Sequence, residues 1–382
     1  MSAYVVPVKW AIVIFPFLAL FLSAFFLIHE YRKYGTFVLS RAIILYSFIF
    51  YLLCAFFLVI LPLPPISEVA QYTTPTVEWH LGASFEHFLQ QTVLSLGDPS
   101  TYLPAMKQNV FLEPVFNILL VVPFGVYLRY YFKFSLIKTI LLSFLLSLFF
   151  EVTQYTGLYF IYPRPYRLAD VNDLLHNTLG GLIGFVIEPL LTFVLPSRKE
   201  IDQLAYAKGK EVTLFRRLVA FALDWGFLRI LSLIILIMYR WFSKDYSIDF
   251  TNSLGWYFAE VFLYFVCFAY LCNGQTIGKK IVRIQVVEGD KRIRFSSLVK
   301  RYGILYFFYG GIGRFTALLA PFVQSKNHFL MVISILITLT GVALQLVFLI
   351  TILWSFLKKR RQLFYERSSH TYTISTISTK EK

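Results

Sequence analysis

The chain has 382 residues, of which 58% are hydrophobic and 15% charged, with a mean hydropathy of +0.66. Soluble domains carry roughly 25% charged residues, so this composition excludes a water-soluble globular fold. The formal net charge of +15 comes with no nucleic-acid recognition motif, which sets nucleic acid aside as a partner and leaves membrane topology or anionic head groups as the meaning of the charge.

Apolar runs of about 20 residues, the length a helix needs to cross a hydrocarbon core of about 30 Å, fall at 8–28, 41–62, 110–131, 136–158, 171–195, 214–241, 254–272, 302–323 and 329–357. The short alternating segments of a barrel are absent, so these nine spans predict an all-α, polytopic membrane bundle. The first run lacks a small-residue cleavage site and continues into His29–Lys33, which reads as a retained helix. Most of the 36 Lys and Arg residues lie in 29–41, 129–138, 198–217, 273–301 and 358–382, all on one side of such a topology. By the positive-inside rule that side is cytoplasmic, which makes this a multi-pass cell-membrane protein with its N-terminus outside and its C-terminus inside.

Between the second and third spans, the loop 63–109 holds Glu78, His80, Glu86, His87 and Asp98 without any metal-ligand spacing, and reads as an interfacial or re-entrant cap. Cys54, Cys267 and Cys272 are odd in number and equally lack ligand spacing, so neither a disulfide nor a metal or other cofactor is expected. Pro196 and the charged run from Arg198 to Glu211 divide the chain into a five-span module (1–195), a cytoplasmic linker (196–213) and a four-span module with a cytoplasmic tail (214–382).

Polar residues gather where the third, fourth and fifth spans meet the outer boundary. An ionisable group within a span marks a candidate site, because insertion at mid-membrane costs about 2.5–3.5 kcal/mol. A rise of about 1.5 Å per residue puts Glu113 and Asn117, Glu151 and Gln154, and Asp173 and Asn177 at one depth. Arg164, Arg167 and Asp170 lie in or beside the loop between the fourth and fifth spans. Gly180 and Gly184 on the fifth span would admit a neighbouring helix closely and draw the carboxylates of two helices together. Asp170 or Asp173 could equally cap that helix, and His176, on a different face from Asn177, is as readily a packing residue as a proton relay.

These residues resemble a known family. Asn117-Ile-Leu-Leu-Val-Val-Pro-Phe-Gly125, then Glu151-x-x-Gln154, an arginine, and Asp173-x-x-x-Asn177-Thr-Leu-Gly180 are similar, over roughly 40–195, to VanZ-like membrane proteins. The resemblance implies a Gram-positive type of cell-envelope protein, its name-giving members being associated with resistance to teicoplanin and related lipoglycopeptides; it implies no reaction. The second module resembles the RDD family through Arg217-x-x-Ala220-x-x-x-Asp224, Gly274-Gln-Thr-Ile-Gly278-Lys279 with the strand-like run 281–287 after it, and a closing motif from Arg361 to Thr371. There Glu366 stands where the family has its second aspartate. Some RDD members are linked to sodium/proton exchange, whereas Arg217 and Asp224 on one helix face also suit a scaffold that pairs with other helices.

Three functions remain open on the sequence. The first is an accessory protein that binds a membrane lipid, a lipid-linked cell-wall precursor or a lipoglycopeptide antibiotic. Arg164 and Arg167 would then grip an anionic group, Gln154 and Asn177 would orient neutral atoms, and Glu151 and Asp173 would hold the arginines. The second is an ion or proton exchanger cycling the charge of Glu151, Asp173 and Asp224. The third is an intramembrane head-group enzyme with Glu151 and Asp173 as acid and base, although no catalytic motif accompanies them. Oligomeric state is not legible.

Overall fold

The computed structural model describes residues 2–247, 249–289, 292–324, 326–358 and 362–377, so Arg361 of the closing motif lies outside the described residues. The fold is all-α, with two two-stranded ribbons. Eight helices among the described residues are long and apolar enough to cross a membrane. They include α1 (Ser2–Tyr34), α2 (Leu39–Ile60), α3 (Asn109–Tyr130), α4 (Leu136–Tyr155) and α5 (Val171–Thr192). The linker region contributes α6 (Arg198–Gly209). Beyond it come α7 (Leu214–Ser243), α8 (Leu254–Leu271, with a π-helical stretch Val261–Phe268), the short α9 (Ile277–Ile281), α10 (Phe295–Tyr306), α11 (Ile312–Leu318), α12 (His328–Leu357) and the short α13 (Phe364–Ser368).

The chain forms two compact units, one of residues 1–24 and 38–202, the other of residues 25–37 and 203–382. The last turns of α1 group with the second unit because Leu27 and Tyr31 pack against Ala220, Val282 and Ile284.

In the first unit, α5 lies against both α3 and α4 at backbone distance. A Cβ placed on Gly180 would collide with the Ile118 carbonyl oxygen, one on Gly184 with that of Val122, and one on Gly125 with that of Gly181, while Gly181 faces the Ser143 hydroxyl. Such close approach is how small residues pack helices where lipid supplies no hydrophobic drive. On α4, Thr139, Ser143, Ser147 and Glu151 recur every fourth residue and are all buried, so one polar stripe faces α5. The loop after α2 folds back as β1 (Val77–Glu78), which pairs in parallel with β2 (Ala169–Asp170) and so holds the 63–109 loop against the entry of α5.

In the second unit, β3 (Ile284–Val287) and β4 (Tyr372–Ser375) form an antiparallel ribbon. Strands on one side of a membrane are separated by an even number of crossings. Because α12 supplies one, the helical segment that starts at α10, passes a π-helical turn at Phe307–Gly311 and ends in α11 supplies the other. This irregular segment corresponds to the run 302–323, and it brings the spans to nine.

Substitution of Gly180 by Val forces α3 and α5 apart and should lower the thermal unfolding midpoint, at a cost of about 1–3 kcal/mol typical of overpacking. Gly226→Val, where a Cβ meets nothing within 4 Å, is the control of equal bulk and should melt at or above the wild-type midpoint. If Gly180→Val melts with it too, the close approach is not what holds these helices.

Candidate functional site

Where α3, α4 and α5 converge below the β1–β2 ribbon, a cavity of about 330 Å3 opens. Its polar wall is Asn117, Glu151, Gln154, Arg167, Asp173 and Asn177; its apolar wall comes from Leu58, Val59, Phe116, Leu119, Leu120 and Phe150. Asn117 donates from Nδ2 to Asp173 Oδ1 at 2.6 Å, which ties α3 to α5. Asn177 donates to Ser147 Oγ at 2.8 Å, and that hydroxyl donates to the Asp173 carbonyl at 3.2 Å, which ties α4 to α5. Glu151 accepts the Asp170 backbone N–H through Oε2 at 2.9 Å. The second oxygen of each carboxylate makes no hydrogen bond among the described residues, and the Asn177 carbonyl oxygen is buried without a partner.

Both loop arginines are committed to backbone. Arg167 donates to the carbonyls of Val59 (2.8 Å) and Leu61 (2.7 Å), where α2 ends and its last carbonyls lack helical partners. Arg164 donates to the carbonyls of Tyr72 and Thr74 and is not on the cavity wall. The ion pairs expected between these arginines and Glu151 or Asp173 do not form among the described residues. Asp170 is also off the wall: it caps α5 by accepting the Asn172 N–H at 2.7 Å, and burial raises its carboxyl above the ordinary range. Glu113 stands outside the cavity as well. His176 Nδ1 approaches Asp173 Oδ1 only to 3.7 Å. In the 63–109 loop, His80 and Glu86 meet at 3.2 Å, but no three potential metal ligands cluster among the described residues.

The second unit holds a different kind of polar core. Asp224, fully buried on α7, accepts Gly278 N–H (2.7 Å) and Tyr264 O–H (2.7 Å) at Oδ1 and Thr276 O–H (2.6 Å) at Oδ2, with Lys279 Nζ at 3.5 Å. It thereby holds the first turn of α9, where anions are favoured. Gly278 is required there, because a Cβ would meet the Ala220 carbonyl and the Asp224 carboxylate itself. Gly274 has φ +84° and lies against the Val286 carbonyl, so it fits both the turn and the ribbon. Glu366, fully buried at the start of α13, accepts Arg217 Nη1 at 2.7 Å and Arg301 Nη2 at 2.8 Å, together with the Leu363 N–H at 2.9 Å. Burial alone would raise its carboxyl, but Arg301 and Arg217 outweigh it and hold it below the usual range. Arg216, beside Arg217 and also fully buried, donates to the carbonyls of Val282, Gly209 and Arg283.

Residues 48–192 match the VanZ/LLP1 family, and residues 212–368 match the RDD family. The chain is a VanZ-like module joined to an RDD domain. No curated protein and no solved structure matches it.

Of the residues singled out from the VanZ-like module, Asn117, Glu151, Gln154, Arg167, Asp173 and Asn177 share one cavity, while Arg164 and Asp170 stabilise its rim. In the RDD domain, Arg217 and Glu366 meet, as do Asp224, Gly278 and Lys279. Sequence reasoning missed Ser143 and Ser147, whose signal is the four-residue recurrence ending at Glu151. It also missed Arg301, which carried no signal beyond its charge, and Arg216, masked by its neighbour.

Glu366→Gln would strand Arg301 without its carboxylate and should cost about 3–5 kcal/mol, as breaking a buried pair does. Because the folded carboxyl lies below its ordinary 4.5, its contribution is present above that value and lost as pH falls through the folded pKa. The stability gap between wild type and Glu366→Gln should therefore stay constant down to about pH 5 and narrow below it. A gap that does not vary with pH would show that the charge of Glu366 is not what matters.

Proposed function

We propose that the VanZ-like module binds the hydroxyl- or amine-bearing head of an amphiphile in the cavity between α3, α4 and α5, as an accessory protein of the cell envelope. The observation that carries this reading is an excess of acceptors beside an apolar wall: uncommitted oxygens on Glu151, Asp173 and Asn177 face donors already spent on the protein's own backbone. Such a surface matches hydroxyls and ammonium groups better than phosphate, and buried acceptors left unpaired discriminate strongly against ligands without donors. Lipid-linked cell-wall precursors and teicoplanin-type lipoglycopeptides both join sugars to a long hydrocarbon chain, so the family's association with lipoglycopeptide resistance fits the same chemistry. In this reading the basic loops face the cytoplasm, with the N-terminus outside and the C-terminus inside, and the cavity opens towards the outer leaflet.

A second reading, cation or proton exchange, draws on one feature: neither Glu151 nor Asp173 is neutralised by an Arg or Lys among the described residues. Two such carboxylates in one cavity are suited to taking up a proton or a small cation.

Binding of a lipid-linked cell-wall precursor and of teicoplanin to the full-length protein in nanodiscs tests both. Saturable binding of either ligand, weakened about tenfold or more, or about 1.4 kcal/mol, in Glu151→Gln and Asp173→Asn, is expected. Absence of binding to folded protein, or binding unaltered in both variants, would sink the accessory reading. Flux driven by a Na⁺ or proton gradient and abolished by the same substitutions would then favour exchange.

A further inference from the structure

We infer that the RDD domain carries a second site, a membrane-embedded pocket for an oxyanion. A cavity of about 290 Å3 is walled by Trp225, Arg229, Tyr257, Tyr309, Gly310 and Arg314. Arg229 lies midway along the 30-residue α7, and Arg314 lies on α11. Neither forms an ion pair among the described residues, and no acid lines the cavity. The acids on α7 and α8 are committed elsewhere: Asp224 to Tyr264, Thr276 and Gly278, and Glu260 to Ser232 and Trp256.

Two donors beside this cavity, Arg314 Nε and Trp225 Nε1, lack acceptors among the described residues. Arg314 stacks over the Tyr257 ring at 4.2 Å, its Nε is buried without a partner, and its hydrogen bond among the described residues is a 3.5 Å contact from Nη1 to the Gly310 carbonyl. Trp225 is 9% exposed and held by stacking on Tyr257 (5.6 Å, 11°), yet its indole N–H also has no acceptor. Two guanidiniums, that of Arg314 partly buried and that of Arg229 exposed, therefore line one space beside a fixed indole, within a membrane span where an unanswered charge is costly. A bound anion supplies both the missing charge and the missing acceptors. Guanidinium forks match groups with several oxygens, so the ligand is a phosphate-type oxyanion, either free or on a lipid.

The test uses full-length protein in maltoside micelles, which contain no phosphate. One arm measures binding of radiolabelled inorganic phosphate; the other follows the unfolding midpoint as phosphatidic acid is admixed. A saturable response in either arm is expected, weakened about tenfold or more in Arg229→Gln and Arg314→Gln, with unfolding midpoints that do not fall below the wild-type value before ligand is added because neither arginine answers an acid. Arg314→Lys should keep part of the response, and Trp225→Phe, which removes the N–H and keeps the ring, should weaken it; these two carry the test if a glutamine variant does not fold. A response to phosphate identifies a free anion, and a response confined to phosphatidic acid identifies a lipid head group. No saturable response in either arm, or equal responses in wild type and folded variants, would overturn the assignment.

Discussion

The arrangement of the first unit depends on helix backbones being allowed to touch. With Gly180 and Gly184 against the carbonyls of Ile118 and Val122, and Gly125 against that of Gly181, α3 and α5 are close enough for the short side chains Asn117 and Asp173 to bond directly at 2.6 Å. Larger residues at these contacts would separate the helices and leave each polar group facing lipid alone. The same approach lets the serines of α4 reach across, so that Asn177 is held by Ser147 rather than by water. A cavity with fixed polar walls is the result, since each wall residue is positioned from a neighbouring helix.

The second unit adds buried charge to glycine proximity at Gly278 and Gly274. Glu366 binds arginines from α7 and α10 together, which couples a residue near the end of the chain to two helices far from it in sequence. Its extra methylene relative to aspartate still permits contact with both guanidiniums and with the Leu363 N–H. Asp224 instead spends its oxygens on N–H and O–H donors around α9, with Lys279 close by. One carboxylate thus joins helices while the other shapes a loop, although the family motif presents them as a pair.

How much of this was legible follows from the range of each interaction. Spans depend on local composition, and eight of the nine runs form helices long enough to cross a membrane; the exception, 302–323, is divided into shorter helical pieces with an interruption at Leu319 that no hydropathy pattern announces. Helical rise groups Glu113, Asn117, Glu151, Gln154, Asp173 and Asn177 at one depth, and all of them but Glu113 line one cavity. The fate of Arg164 and Arg167 was not legible, because it depends on which backbone carbonyls the 63–109 loop and the end of α2 leave unsatisfied. A sequence displays charges as potential partners for one another, but it does not display open carbonyls. Arg301 escaped for a related reason, since its partner lies 65 residues away.

Seven of the arginines therefore fall into three physical classes, and the distinction sharpens what each is able to do. Arg164, Arg167 and Arg216 bind carbonyls, which leaves the positive charge formally unbalanced. Arg217 and Arg301 bind a carboxylate, which balances their charge. Arg229 and Arg314 have no carboxylate among the described residues, and Arg314 has little but an aromatic face. In a low-dielectric region the first two classes are explained by architecture, because removing the cation would leave carbonyls or a carboxylate unpaired. The third is not: deleting those guanidiniums would expose no unpaired acid within the protein. Their retention inside the spans is accounted for when the missing partner arrives from outside the chain.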